Sequence, residues 1–350
     1  MANVRTIDAA SVPANAEIPS LIVSADSHVD EPTSLWNQLP ANLRTKLPKP
    51  HTLNARPPGG GDPKARLVDM DKDGLAAEVL YPTAALVFYG AERDVQEAAF
   101  RLYNDWVADY CKTSPRRLFG IAALSVYDID GAIREMQRAH DMGLMGGLIW
   151  QVPDPAIPFT SPHYEKFWAA AAEIGAPINL HILTGHNYSR ERSVKGIEHV
   201  RGSVNHKTAD VINTVYDFVW SGIFERHPKL KIVIVEAEIG WLPFVLQQWD
   251  YYYRRFTPAG PQHQDFPISR LPSEIFRDHV HCTFMDDVVG AFLLHKWLDR
   301  NCMWSSDYPH GNTTWPNSRA FIARQMGDLP ADKQKRLLSQ NVIDLYGLRL

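Results

Sequence analysis

Short, nearly continuous apolar runs alternate with longer stretches of three-and-four apolar spacing from residue 21 to about residue 310. Eight runs stand out: "LIVSADSHV" (21–29), "AAEVLYPT" (76–83), "LFGIAALS" (118–125), "GGLIWQVP" (146–153), "PINLHI" (177–182), "KIVIVEAE" (231–238), "VHCTF" (280–284) and "NCMWSSDYPH" (301–310). Unbroken apolar runs of this length suit parallel strands covered on both faces. The intervening segments "VQEAAFRLYNDWVADYC" and "ADVINTVYDFVWSGIFERH" carry the helical spacing most clearly. Eight β–α alternations predict a (β/α)8 TIM-type barrel rather than an open doubly wound sheet. Two long segments interrupt the scheme as insertions after strands one and five: 30–66, rich in Pro, Gly and Lys/Arg, and 183–205, "LTGHNYSRERSVKGIEHVRGSVN". Both follow strands on the face where barrels build sites, so lids or subunit contacts are expected there. "GGGD" (59–62) follows no strand and opens no evident helix, and is read as a flexible turn.

No linker-like break divides the 350 residues, so residues 21–350 are expected to form one domain, with residues 1–20 a flexible polar arm. Apolar residues at 45% and charged ones at 22% exclude a disordered chain, and no run is long enough for a membrane span. A net charge of -4 offers no basic footprint for nucleic acid or anionic lipid. Cys111, Cys282 and Cys302 fit no disulfide framework or zinc ribbon, and the first twenty residues lack a secretion signal's apolar core. A cytoplasmic setting is expected.

The ends of the eight runs carry the chemistry. "SADSHVDEP" (24–32) packs acids and an imidazole behind an apolar strand, and alternation puts Asp26 and His28 on one side of it. The other strand ends supply Gln151, His181, Glu236, Thr283 and Asp307, which a barrel would bring to one rim. Each has a plain reading alone: His181 as a satisfied core histidine, Asp26 as a cap, Asp307 in "SSDYPHG" as a turn former. Together, three carboxylates and two imidazoles would repel one another and lose hydration unless a cation compensated them. Asp26, His28, His181 and Asp307 offer two oxygens and two nitrogens to one divalent metal ion, a donor set for Zn, Mn or Fe rather than Ca or Mg.

The Asp-x-His opening, His181, "RLVDMDKDGLAAEVLYPT" (66–83), "HPKLKIVIVEAEIGWLPF" and "WSSDYPHGNTTWP" together resemble the amidohydrolase-related superfamily. The similarity is to the branch containing aminocarboxymuconate-semialdehyde decarboxylase and γ-resorcylate decarboxylase, over about residues 21–320. It implies a distorted barrel holding one divalent ion, Zn or Mn, through Asp26, His28, His181 and Asp307. It further implies non-oxidative decarboxylation of an aromatic or conjugated carboxylic acid, or metal-assisted hydrolysis, in a dimer. Strand one departs from the His-x-His of many members towards the acidic variant of the resorcylate-type decarboxylases. Strand six offers Glu236 where better-characterised members place a proton-handling histidine.

For decarboxylation, Asp307 is the expected acid that protonates the ring carbon; for hydrolysis, Asp307 or Glu236 would take a proton from water. His310 is a further catalytic candidate, as orienter of Asp307 or substrate contact, against a loop histidine packed on Trp315. Tyr81, Trp150 and His206 are candidates for substrate contact, the first two offering flat apolar faces that also suit barrel filling. His186 has the same standing as His206. Asp30 is expected to be solvated, and Glu31 to bond a neighbouring group or start the next helix. The aromatic-rich "WLPFVLQQWDYYYRRF" would make a contact in a homodimer or higher homo-oligomer. The competing readings are a hydrolase of an amide, ester or activated carbon–carbon bond on the same barrel, and a catalytically silent barrel that binds ligands.

Overall fold

Among the described residues nine short strands, all paired in parallel, carry the chain around a barrel in sequence order. They are β1 (Val23–Val29), β2 (Ala77–Pro82), β3 (Leu118–Gly120), β4 (Ala122–Ala123), β5 (Gly147–Ile149), β6 (Ile178–His181), β7 (Ile232–Val235), β8 (Val280–Phe284) and β9 (Cys302–Trp304). The computed structural model describes residues 17–48, 56–186, 196–257, 263–294 and 296–350. Most of the expected N-terminal arm and the centre of the second insertion lie outside the described residues.

Each of the eight apolar runs holds strand structure, and the third holds two strands, which is where the barrel is distorted. β3 pairs with β2 and β4 with β5, so the sheet changes partner across Ile121, whose N–H still donates to Leu80 O at 3.0 Å. The seam between the first and last strands closes without a ladder. Asp307 N donates to Asp26 O at 3.0 Å and His28 N to Tyr308 O at 2.6 Å, so the segment after β9 completes the ring. Nearly every strand residue is buried, as strands walled by side chains inside and helices outside must be.

Register shifts between Ser24 and Ser27 in β1. Three residues apart, these serines would face opposite ways in a regular strand, yet their hydroxyls meet at 3.0 Å and both reach Ser306 Oγ, at 3.2 and 3.1 Å. The bulge therefore ties the active end of β1 to the segment after β9 while leaving Asp26 and His28 on a common side.

The helix Arg93–Cys111 covers the expected segment. The second runs over Lys207–Trp220 and breaks at Gly222 (φ 74) before a short turn at Ile223–Arg226. The expectation of a flexible turn at 59–62 is overturned. Gly59 and Gly60 are buried, Gly60 O accepts from Asp30 N at 2.9 Å, and Asp62 caps the helix Pro63–Asp73 by accepting from Lys64 N at 2.8 Å. A side chain at Gly59 would collide with the Tyr308 hydroxyl and one at Gly60 with the Asp30 carboxylate, so close packing demands the missing Cβ atoms. No helix among the described residues is long and apolar enough to cross a membrane.

Candidate metal centre

β1 and β6 deliver the nitrogen donors. His28 Nδ1 lies 2.7 Å from Pro82 O and His181 Nδ1 2.7 Å from Ile182 O. A carbonyl oxygen only accepts, so each Nδ1 carries the hydrogen and each Nε2 presents a lone pair. Those two Nε2 atoms are 3.2 Å apart and fully buried. Two facing lone pairs need a positive centre between them.

Asp26 and Asp307 supply the oxygens. Asp26 Oδ1 is 3.4 Å from His28 Nε2 and 3.9 Å from His181 Nε2, and Asp307 Oδ1 is 3.5 Å from His28 Nε2. Among the described residues none of the four carboxylate oxygens finds a hydrogen-bond partner although all are buried. His310 Nδ1 comes within 2.8 Å of Asp307 Oδ1, a contact that is an ion pair only when the imidazole is protonated, and burial drives that imidazole down to about 4. Unpartnered buried carboxylates beside paired imidazole lone pairs fit a divalent ion of the Mn or Zn type, and Asp26, His28 and His181 lie close enough to share one.

Electrostatics agree. Burial pushes the Asp26 carboxyl up to about 6 and Asp307 well above the carboxylate range, the latter helped by Glu236 and Asp26. Burial likewise drives His28 down to about 3 and lowers His181. Every donor is pressed towards its neutral form, and a divalent cation held among them would favour the ionised carboxylates and the neutral imidazoles.

Glu236 stands at the edge of this group. Its N–H donates to Thr283 Oγ1 at 2.8 Å, which holds the residue in a left-handed conformation (φ 60) just past β7. Oε2 is 3.7 Å from His181 Nε2 and Oε1 3.7 Å from Lys207 Nζ. His310 stacks on His28 with ring centroids 3.8 Å apart, and its Nε2 meets Thr83 Oγ1 at 3.3 Å. Trp315 instead packs on Tyr308, so the alternative packing expected for His310 is not found.

Tyr81 is fully buried beneath the imidazoles, its ring 5.7 Å from His181 and its hydroxyl 2.8 Å from Asn179 Oδ1 and 3.2 Å from Tyr346 Oη. Trp150 is also fully buried, donating to Tyr164 Oη at 3.2 Å and packed edge-on against His186. His206 is exposed, and His186 meets Tyr127 Oη at 3.0 Å, outside the donor group. Gln151 is buried, and its side-chain amide has no hydrogen-bond partner among the described residues. Asp30, expected to be solvated, is paired with Arg56 at 2.5 Å because the first insertion folds back over it. Glu31 accepts from Thr83, Ala84 and Ala85 N–H groups at 3.2, 2.8 and 3.0 Å, pinning the loop that presents Pro82 O to His28.

Sequence reasoning missed Arg66 and Lys207. Arg66 is fully buried, its Nε 2.5 Å from Glu78 Oε2, and it donates to His28 O at 2.6 Å and Tyr308 O at 3.3 Å. One guanidinium thus clamps two of the three chain segments that carry the donors, β1 and the stretch after β9. Arg66→Met leaves Glu78 buried and unpaired, and is expected to lower unfolding free energy by roughly 3–5 kcal/mol. Denaturant titration checks this, with Glu78→Gln added to recover part of the loss; a change within about 1 kcal/mol would contradict the clamp.

A parallel barrel whose strand ends converge two imidazoles and two carboxylates on one buried point belongs to the metal-centred hydrolase and lyase barrels. The amidohydrolase family profile matches residues 25–348, and the chain belongs to that family. It is 26% identical to a gamma-resorcylate decarboxylase from a Rhizobium species over 286 residues, 78% of this chain and 85% of the relative. Among solved structures it is similar to 5-carboxyvanillate decarboxylase from Sphingomonas paucimobilis, with TM-score 0.74, 20% identity and coverage of 95% of this chain and 100% of the other. A dihydroxybenzoic acid decarboxylase from a Polaromonas species, holding manganese and the inhibitor 2-nitroresorcinol, aligns with TM-score 0.69 and 20% identity over 94% and 98% of the two chains.

Proposed function

We propose that the protein is a metal-dependent, non-oxidative decarboxylase of a hydroxylated aromatic carboxylic acid. The observation that carries this reading is the buried meeting of the His28 and His181 lone pairs with the unpartnered Asp26 and Asp307 carboxylates. Kinship with decarboxylases of resorcylate and carboxyvanillate supports the reaction assigned to it.

Asp26, His28, His181 and Asp307 would hold the ion. A divalent metal there supplies a Lewis-acidic partner for a carboxylate or ortho-hydroxyl oxygen of the substrate. Asp307, with His310 Nδ1 2.8 Å from its Oδ1, delivers a proton to the ring carbon that bears the carboxylate. The carbon–carbon bond then breaks, its electron pair restores the aromatic ring, and carbon dioxide leaves. His310 connects Asp307 to the less buried side, since its imidazole touches Asp307 on one nitrogen and Thr83 on the other. Glu236 accepts from a substrate hydroxyl. The exposed Phe244, Tyr251 and Tyr252 of the helix Leu242–Phe256 supply a contact between copies of the chain, to be checked by sedimentation.

The test follows products in labelled water, using manganese-loaded protein and a panel of hydroxybenzoates. One deuterium from heavy water at the carbon that lost carbon dioxide is expected. Oxygen-18 from water entering the organic product would replace this reading with hydrolysis.

A further inference from the structure

The donor group carries an excess of negative charge. Asp26, Asp307 and Glu236 contribute three negative charges when ionised, against two positive ones from a divalent ion, so an arriving carboxylate meets net repulsion unless another cation faces it. Arg56 is committed to Asp30 at 2.5 Å. Lys207, the first residue of the helix Lys207–Trp220, is placed differently.

Its Nζ lies 3.7 Å from Glu236 Oε1, and the other oxygen of that carboxylate is 3.7 Å from His181 Nε2. That separation is an ion pair longer than a hydrogen bond, so the ammonium can turn to a second anion without breaking a strong contact. The Lys207 charge also bears on Asp26, Asp307 and Glu238. Its side chain keeps 25% exposure where those of Asp26, His28 and Asp307 have none, which puts the ammonium on the solvent-facing margin of the group.

We propose that Lys207 is a substrate-binding residue that holds the carboxylate of the aromatic acid and makes the site prefer the acid to its decarboxylated phenol. This rests on the decarboxylase reading given above. As carbon dioxide departs the anion disappears, the ammonium returns to Glu236, and the neutral product loses its anchor. Because the contact is strongest before the carboxylate surrenders its charge, it acts on substrate binding more than on the chemical step.

The experiment titrates 2,6-dihydroxybenzoate against resorcinol, and salicylate against phenol, into manganese-loaded wild type, Lys207→Met and Lys207→Arg, with melting curves as a check of folding. Lys207→Met is expected to weaken both acids by about tenfold or more, as for loss of one charge-assisted hydrogen bond, and to leave both phenols within about twofold. Lys207→Arg should restore most of the acid affinity, and KM in the Met variant should rise by a larger factor than kcat falls. Equal weakening of acids and phenols, or unchanged acid affinity, overturns the role of Lys207. Wild-type protein that binds no acid of the panel overturns the decarboxylase reading and this inference with it.

Discussion

Asp307→Asn is expected to fold normally and to lose decarboxylation by roughly 10³-fold, the scale of a missing general acid. The residue sits at φ 53, a left-handed conformation that Asn tolerates nearly as well as Asp, so the exchange adds little backbone strain. It also preserves size while removing the ionisable oxygen beside His310. Rate loss in this variant therefore reads chemistry rather than collapse. Steady-state turnover alongside thermal melting checks it, and full activity would remove Asp307 from the mechanism.

Stripping the metal is expected to abolish turnover, by at least about 10³-fold for a lost Lewis acid, and to change how stability depends on pH. A carboxyl whose folded pKa exceeds its unfolded value holds its proton more tightly in the native state. Its stabilising effect is full below the unfolded pKa and fades as pH rises through the folded one. Asp26, pushed up to about 6, and Asp307, pushed further, both follow that rule. His28 runs the other way: pushed down to about 3 from 6.5, it costs stability as pH falls below 6.5, where the unfolded chain gains the proton. The two effects oppose each other in acid, but above pH 6.5 the histidine contribution is constant and the carboxyl decline remains.

Metal-free protein should thus melt lower as pH rises above 6.5, and the gain on adding manganese should widen in the same direction because binding requires ionised carboxylates. Glu31 and Glu238, each raised to about 7 by burial, contribute to the decline with or without the ion. The difference between loaded and stripped protein is therefore the quantity to measure. A gain independent of pH, or one that survives His181→Ala undiminished, would place the ion elsewhere.

Legibility in the sequence followed the strands. Asp26, His28, His181 and Asp307 each end an apolar run, and a barrel makes strand ends neighbours whatever their separation along the chain, so their meeting was readable without coordinates. Glu236 was readable for the same reason, since a carboxylate closing "VIVE" has no apolar use. Arg66 and Lys207 carry no such mark. One opens the motif "RLVDMDKDG" and the other follows an insertion, and both look like ordinary helix cations until tertiary packing turns them inward. The glycines at 59–61 were misjudged because composition cannot distinguish a mobile turn from one compressed against Tyr308 and Asp30. The partner change at Ile121 was equally invisible, since "LFGIAALS" reads as one strand and only the neighbouring ladders divide it.

The seam has a dynamic meaning. His28 and Asp307 use their own amides to join the first strand to the segment after the last, so the two ends of the barrel sheet are fastened by the very residues that present the donors. Opening that suture would part Asp307 from Asp26 and His28. A ligand that binds only the fastened arrangement would stabilise it by mass action, so fraying at this suture would fall as the site fills.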